Sequence, residues 1–222
     1  MKKGFFITGT DTDVGKTWAT IALMRFFKSQ GMSVVGMKPV AAGCKWLDGQ
    51  LKNEDALLIQ ENASVDMEYQ QINPYAFETP VSPHLAAKQT VKAEVILQAF
   101  YDLKDKAEVI LVEGAGGWLV PVNGVYDIAD LAKDMQLPVI MVVAIRLGCI
   151  NHARLTYQAI INSGCVCAGW LAVCLDSEMV MQKENIATIK NKIAAPLLGE
   201  LPHTLKKDFD FLAKNINSEQ LL

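Results

Sequence analysis

The chain has 222 residues, 51% hydrophobic and 20% charged, with a formal net charge of −3 at pH 7. That length and balance predict one sizeable domain over residues 1–222, able to bury a full core. No basic stripe points to nucleic acid, and the longest apolar run, 137–145, contains Pro138 and is too short to span a bilayer.

Met1-Lys2-Lys3 leads directly into the first apolar run, with no signal-peptide core behind it. Five cysteines (Cys44, Cys149, Cys165, Cys167, Cys174) at irregular spacing complete neither a disulfide framework nor a zinc site. Reduced thiols in a cytoplasmic protein are the expectation. Phe5-Phe6-Ile7-Thr8 reads as a short buried strand, and a helix is predicted over 16–29. Between them lies Gly9-Thr10-Asp11-Thr12-Asp13-Val14-Gly15-Lys16-Thr17. Strand, glycine loop and helix form the setting of a phosphate-binding loop, whose backbone N–H groups and helix N-terminus face phosphates. Lys16 supplies the cation for the β/γ oxygens and Thr17 the hydroxyl for a metal. Asp13, Val14, Gly15 and Trp18 complete the expected nucleotide contacts. The loop is a variant, because Thr10 stands in the usual first-glycine slot and Gly9 lies one step earlier. A nucleoside triphosphate with magnesium is the implied cofactor class.

A second strand is predicted at 33–38, ending in Lys38-Pro39-Val40-Ala41-Ala42-Gly43. Lys38 is either a solvated surface lysine or a charge-neutralising group in the phosphate crevice, and Pro39 and Gly43 favour the fixed position. Asn53 is a plausible cap for a helix at 54–61, and Asp55 suits that helix's first turn without any metal. Thr17, Asp55 and Glu113 together would suffice for magnesium, yet nothing in the spacing brings Asp55 to the loop. Residues 73–83 read as a long functional loop, followed by a helix at 93–106. The strand at 109–113 delivers Glu113 into Gly114-Ala115-Gly116-Gly117, where a ligand can approach the backbone closely.

A helix at 128–134 and a strand at 139–143 precede Leu147-Gly148-Cys149-Ile150-Asn151-His152. The helix opening there, at 150–163, presents N–H groups to a carboxylate or phosphate. Cys149 and His152 lack a third orienting group and read as helix neighbours rather than a nucleophile–base pair. His84 and His203 read as structural or surface residues. A strand at 169–174, a helix at 178–192 capped by Ser177, and a strand at 197–199 complete the pattern. The fold class is α/β, a mainly parallel central sheet with helices on both faces, of phosphate-loop NTPase type.

The motifs Gly-Thr-Asp-Thr-Asp-Val-Gly-Lys-Thr, Lys-Pro-Val-Ala-Ala-Gly, Asn-Pro-Tyr-Ala-Phe, Ser-Pro-His and Val-Glu-Gly-Ala-Gly-Gly-Trp, in order from about residue 4 to 202, resemble the dethiobiotin synthetases. Leu-Pro-Val-Ile, Leu-Gly-Cys-Ile-Asn-His and Pro-Leu-Leu-Gly-Glu-Leu-Pro extend the resemblance. It implies an ATP- and magnesium-dependent closure of a cyclic urea on 7,8-diaminopelargonic acid. One amine takes up carbon dioxide as a carbamate, the carbamate attacks the γ-phosphate, and the second amine closes the ring and expels phosphate. By the same resemblance Thr12, Lys16 and Lys38 clamp carbamate and phosphate, and Thr17, Asp55 and Glu113 hold magnesium. Gly114, Ala115 and Gly116 line the crevice, and Pro202 borders the base. A homodimer is implied, with the partner's Gly148-Cys149-Ile150-Asn151 turn holding the distal carboxylate near the interface.

Two departures stand out. Ala42 replaces the family's Ser or Thr, leaving only a backbone contact to substrate, and Val173-Cys174 replaces an adenine-reading Asn, so several nucleoside triphosphates are expected as substrates. The alternative is a switch-type phosphate-loop NTPase for partitioning or metallocentre assembly.

Overall fold

A computed structural model of the chain describes residues 3–87, 90–217, 219 and 221–222. Strand β1 (Lys3–Gly9) leads through the loop at 10–15 into α1 (Lys16–Ser29), then β2 (Val34–Met37) and β3 (Val40–Ala41). The hairpin β4 (Lys45–Leu47) and β5 (Gln50–Lys52) precedes α2 (Glu54–Asn62), α3 (Tyr69–Ile72), β6 (Tyr75–Ala76), α4 (Pro83–Ala86) and α5 (Ala93–Lys104). The second half runs β7 (Val109–Gly117), α6 (Ile128–Asp134), β8 (Val139–Ala144), α7 (Cys149–Asn162), β9 (Cys167–Val173), α8 (Gln182–Lys192), β10 (Leu197–Leu201) and α9 (Phe209–Ala213).

Six strands form one parallel sheet in the order β10-β9-β8-β1-β7-β2. All six residues of β8 and all four of β2 are buried, as expected for strands covered on both faces. The chain leaves β1 for one edge, returns to β7, and crosses β1 to reach β8. The strand order therefore reverses at β1, and a ligand crevice is expected beyond its carboxyl end. Asn53 caps α2, its side-chain oxygen accepting from the N–H groups of Asp55 and Ala56.

Three expectations need correction. β7 continues four residues past Glu113, because Gly117 pairs with Gly9 across a register shift, so the glycines are strand rather than free loop. α8 starts at Gln182 instead of 178, and Ser177 does not cap it. Asp176 Oδ1 accepts from the Glu178 N–H and Met181 takes a left-handed conformation (φ 57°), which keeps the preceding residues in a turn. The Ser177 hydroxyl meets the Glu178 carboxylate instead. Within 73–83, Tyr75 and Ala76 pair in parallel with Val40 and Ala41, so this loop carries a strand of its own.

Beyond Thr204 the chain folds back on the domain. α9 packs on α1, with the Trp18 and Phe209 rings 5.5 Å apart edge to face, and the Asn217 N–H bonds Leu198 O. A side chain at Gly199 would collide with the Asn215 carbonyl.

Candidate active site

Three strand ends meet at the point where the strand order reverses. β1 delivers the glycine loop, β2 ends one residue before Lys38, and β7 carries Glu113. The loop needs left-handed backbone at Asp13 (φ 55°) and at Gly15 (φ 87°), the residue preceding α1. At Gly15 any side chain would also lie 2.8 Å from Val173 Cγ1, so glycine is required there twice over.

The cleft at this end has a volume of about 740 Å³. Of the expected site residues it gathers Thr12, Asp13, Gly15, Lys16, Thr17, Trp18, Lys38, Ala42, Asp55, Glu113, Ala115 and Gly116. Val14 and Gly114 are buried outside the lining, Gly114 against Phe6 and Ile128. The turn Gly148, Cys149, Ile150 and Asn151 also stands outside it. Pro202 lines a smaller cavity of about 390 Å³ with Cys174 and His203, and His203 Nδ1 lies 2.8 Å from the carbonyl oxygen of Leu175, a residue of the main cleft. Val173 is buried behind the phosphate loop, and the Cys174 N–H bonds Leu201 O. Cys149 donates to Asn185 rather than to His152. Pattern reading did not assign Val40, Ala41, Asn53, Val120 or Leu175 to the site, while of the expected functional loop at 73–83 residues 80–83 line the cleft.

The floor of the cleft is a buried charge cluster. Lys38 Nζ lies 2.6 Å from Glu113 Oε1 and 2.9 Å from Asp55 Oδ2, and the Thr17 hydroxyl donates to Glu113 Oε1 at 2.9 Å. Glu113 is fully buried and Lys38 only 6% exposed. Burial alone would lower the Lys38 pKa, but Glu113 and Asp55 outweigh it and hold the lysine well above its usual range. Burial would raise Asp55, and Lys38 overcomes this, leaving the carboxyl below its usual range. Lys16 differs: burial pulls its pKa down to about 8, Lys38 adds to the drop, and Glu113 and Asp55 oppose it. Its ammonium donates to Asp11 O at 2.9 Å, and the Asp11 carboxylate is tied to Arg146 at 2.9 Å.

Magnesium can be tested against these donors. Glu113 Oε2 is buried with no hydrogen-bond partner among the described residues, and Thr17 and Asp55 add two more hard oxygens. Among the described residues no group of three His, Cys, Asp or Glu stands together as a metal cage. The donor set fits magnesium.

Fold and cleft define a phosphate-loop nucleotide-binding protein of the parallel α/β type. A family model described as an AAA domain matches residues 3–208. The signal recognition particle receptor FtsY of Elizabethkingia anophelis, in complex with GDP, superposes with TM-score 0.61 at 16% identity over 95% of this chain and 59% of its own length. The MinD cell division protein of Aquifex aeolicus gives 0.58 at 16% identity, over 96% of this chain and 88% of its own. At such identities the likeness speaks to the fold alone. Proteins named ATP-dependent dethiobiotin synthetase are much nearer. That of Aromatoleum aromaticum is 44% identical over 209 residues, 93% of each chain. That of Cellvibrio japonicus is 43% identical over 224 aligned positions, covering 100% of this chain and 98% of its own. The chain belongs to the dethiobiotin synthetase family.

Proposed function

We propose that this chain is an ATP-dependent dethiobiotin synthetase, a ligase that forms C–N bonds to close a cyclic urea on 7,8-diaminopelargonic acid with carbon dioxide. The observation that carries the residue assignments is the cluster of Lys38, Asp55, Glu113 and Thr17 beside Lys16 on the floor of one cleft. A carbamate and a transferring phosphoryl group both concentrate negative charge. Two ammonium groups fixed in a water-poor floor, their charge balanced by Asp55 and Glu113 until a ligand and metal arrive, are placed to stabilise that charge as it develops. Lys38 is the group for this work, because its two carboxylate neighbours keep it protonated and aimed. Lys16 and the loop N–H groups hold the β/γ phosphates, with Thr12 at the mouth.

Thr17, Asp55 and Glu113 are assigned to magnesium, which when bound neutralises phosphate oxygens. Ala42 offers only its backbone to substrate, and Val173 gives the base no amide to pair with, so selection among ATP, CTP and GTP is weak. A homodimer fits the placement of Gly148, Cys149, Ile150 and Asn151: the turn lies outside its own cleft beside the almost fully exposed Leu147. From there a partner's turn would hold the substrate carboxylate. Five unpaired thiols fit a cytoplasmic setting, and no described helix is long and apolar enough to cross a membrane.

The test is a mass-resolved assay with the diamine, bicarbonate and magnesium, giving ATP, CTP and GTP separately. A product heavier by a carbonyl and lighter by two hydrogens, with stoichiometric phosphate, is expected. Phosphate release indifferent to the diamine would point to a switch-type NTPase instead.

A further inference from the structure

The Asn-Pro-Tyr-Ala-Phe motif at 73–77 has no part in the chemistry assigned above, and neither Asn73 nor the nearby Tyr69 lines the cleft. Both are nevertheless buried polar residues, Asn73 at 3% and Tyr69 at 8% exposure. Buried polar groups of this kind have to be spent on hydrogen bonds, and the partners here are informative.

The Asn73 side-chain amide donates to the Lys38 carbonyl at 2.7 Å and to the Tyr75 carbonyl at 3.2 Å. Its Oδ1 accepts from the Tyr69 hydroxyl at 2.9 Å. That hydroxyl in turn accepts the backbone N–H of Asn53 at 2.7 Å. Asn53 is the cap of α2, two residues before Asp55. The Lys38 N–H meanwhile bonds Ile72 O at 2.9 Å, so both backbone polar groups of Lys38 are held by the 72–73 segment. Pro74 stops α3 here and keeps Asn73 out of the helix, in position to bridge (φ −130°).

We propose that Tyr69 and Asn73 are positioning residues: a buried strut linking the backbone of Lys38 to the cap of α2, which sets the spacing of Lys38 and Asp55. β2 and α2 come from separate stretches of chain, and the direct side-chain link between these two residues ends on the half-exposed Asp55 carboxylate. The strut fixes from behind what that ion pair cannot fix alone. This inference rests on the assignment of Lys38 to phosphoryl transfer and Asp55 to magnesium.

Two variants of the full-length protein test it. Tyr69→Phe keeps the ring and removes the hydroxyl. Asn73→Asp keeps the acceptor for Tyr69 and loses the N–H donors to Lys38 and Tyr75. For each, kcat, the magnesium concentration for half-maximal rate, and the Kd for magnesium-free ADP by calorimetry are measured well below the unfolding midpoint. The strut predicts kcat lower by about tenfold or more and a several-fold higher magnesium requirement, since small displacements of reacting groups are costly. ADP affinity should stay within about twofold, because the phosphate loop is untouched. A folded variant with wild-type kcat and magnesium requirement overturns the strut. So does a uniform loss that includes ADP binding, which marks a general structural role. If Tyr69→Phe fails to fold, Asn73→Asp decides, and failure of both to fold overturns the inference as well. Lys38→Ala is the control: near-normal turnover there would remove the site reading itself, a result distinct from failure of the strut.

Discussion

Replacing Lys38 with methionine keeps most of its apolar stem and removes the charge that Glu113 and Asp55 share. Glu113 is fully buried and would be left an unpaired anion, whereas the Asp55 side chain is 39% exposed and can turn to water. Breaking one side of a buried ion pair costs about 3–5 kcal/mol, which for a chain of this size lowers the unfolding midpoint by about 6–20 °C. Asp55, held below its usual range, gives stability present above its ordinary 3.8 and lost as pH falls past that. Lys38, held high, gives stability present below its ordinary 10.5 and lost only as pH rises through its folded value. The contribution of the Lys38–Asp55 pair itself should therefore be level from about pH 5 to pH 10. Loss of the Lys38 charge also relieves Lys16, whose lowered pKa it helps to set, so the deficit should shrink below about pH 8, where Lys16 is protonated. Thermal and urea unfolding with and without magnesium measure it. Adding Glu113→Gln should recover most of the loss, since removing both partners of a buried pair is often near neutral. A deficit below about 1 kcal/mol, or a double variant no better than the single, would refute the view that Lys38 neutralises Glu113.

Three further outcomes follow from the same geometry. Lys16, its pKa pulled down to about 8 by burial, should take up a fraction of a proton when nucleotide binds, growing as pH rises from about 7 to 9. Calorimetry in buffers of different ionisation enthalpy reads this, and no uptake anywhere in that range contradicts the lowered value. Gly15→Ala combines a left-handed backbone with a clash against Val173, so it should cost about 2–3 kcal/mol and weaken ATP binding. Adding Val173→Ala should relieve the clash and leave the backbone penalty, as urea unfolding of the pair would measure. The Thr8 hydroxyl is buried without a partner among the described residues, and Thr8→Val should raise stability by up to about 1 kcal/mol in urea unfolding.

Helices such as 16–29 and 128–134 were legible to the residue because apolar period and flanking loop residues agreed. The variant phosphate loop was legible through the strand and helix that flank it, and Glu113 only when set beside Lys16 and Thr17. What stayed hidden depended on contacts distant in sequence. Nothing around Asp55 reveals that a cap bonded to Tyr69 brings it to Lys38, and two-residue strands such as β3 and β6 carry no periodicity. The start of α8 was misread because Asp176 builds a competing turn beside Ser177. The lining at 80–83 and Leu175 reaches the cleft only through tertiary folding.

Strand β1 also has a consequence for how the chain matures. Its two neighbours are β7 and β8, so its sheet pairing waits for the chain from Glu108 onward. At about 5–20 residues per second, the ribosome leaves β1 without a partner for roughly 5–20 s after it is made. During that interval Phe5, Phe6 and Ile7, all buried in the finished domain, can be covered by α1, whose Phe27 stacks on Phe5, but not by the sheet. Delayed closure of a central strand favours transient chaperone capture, and it makes yield sensitive to temperature and translation rate even when the finished fold is stable.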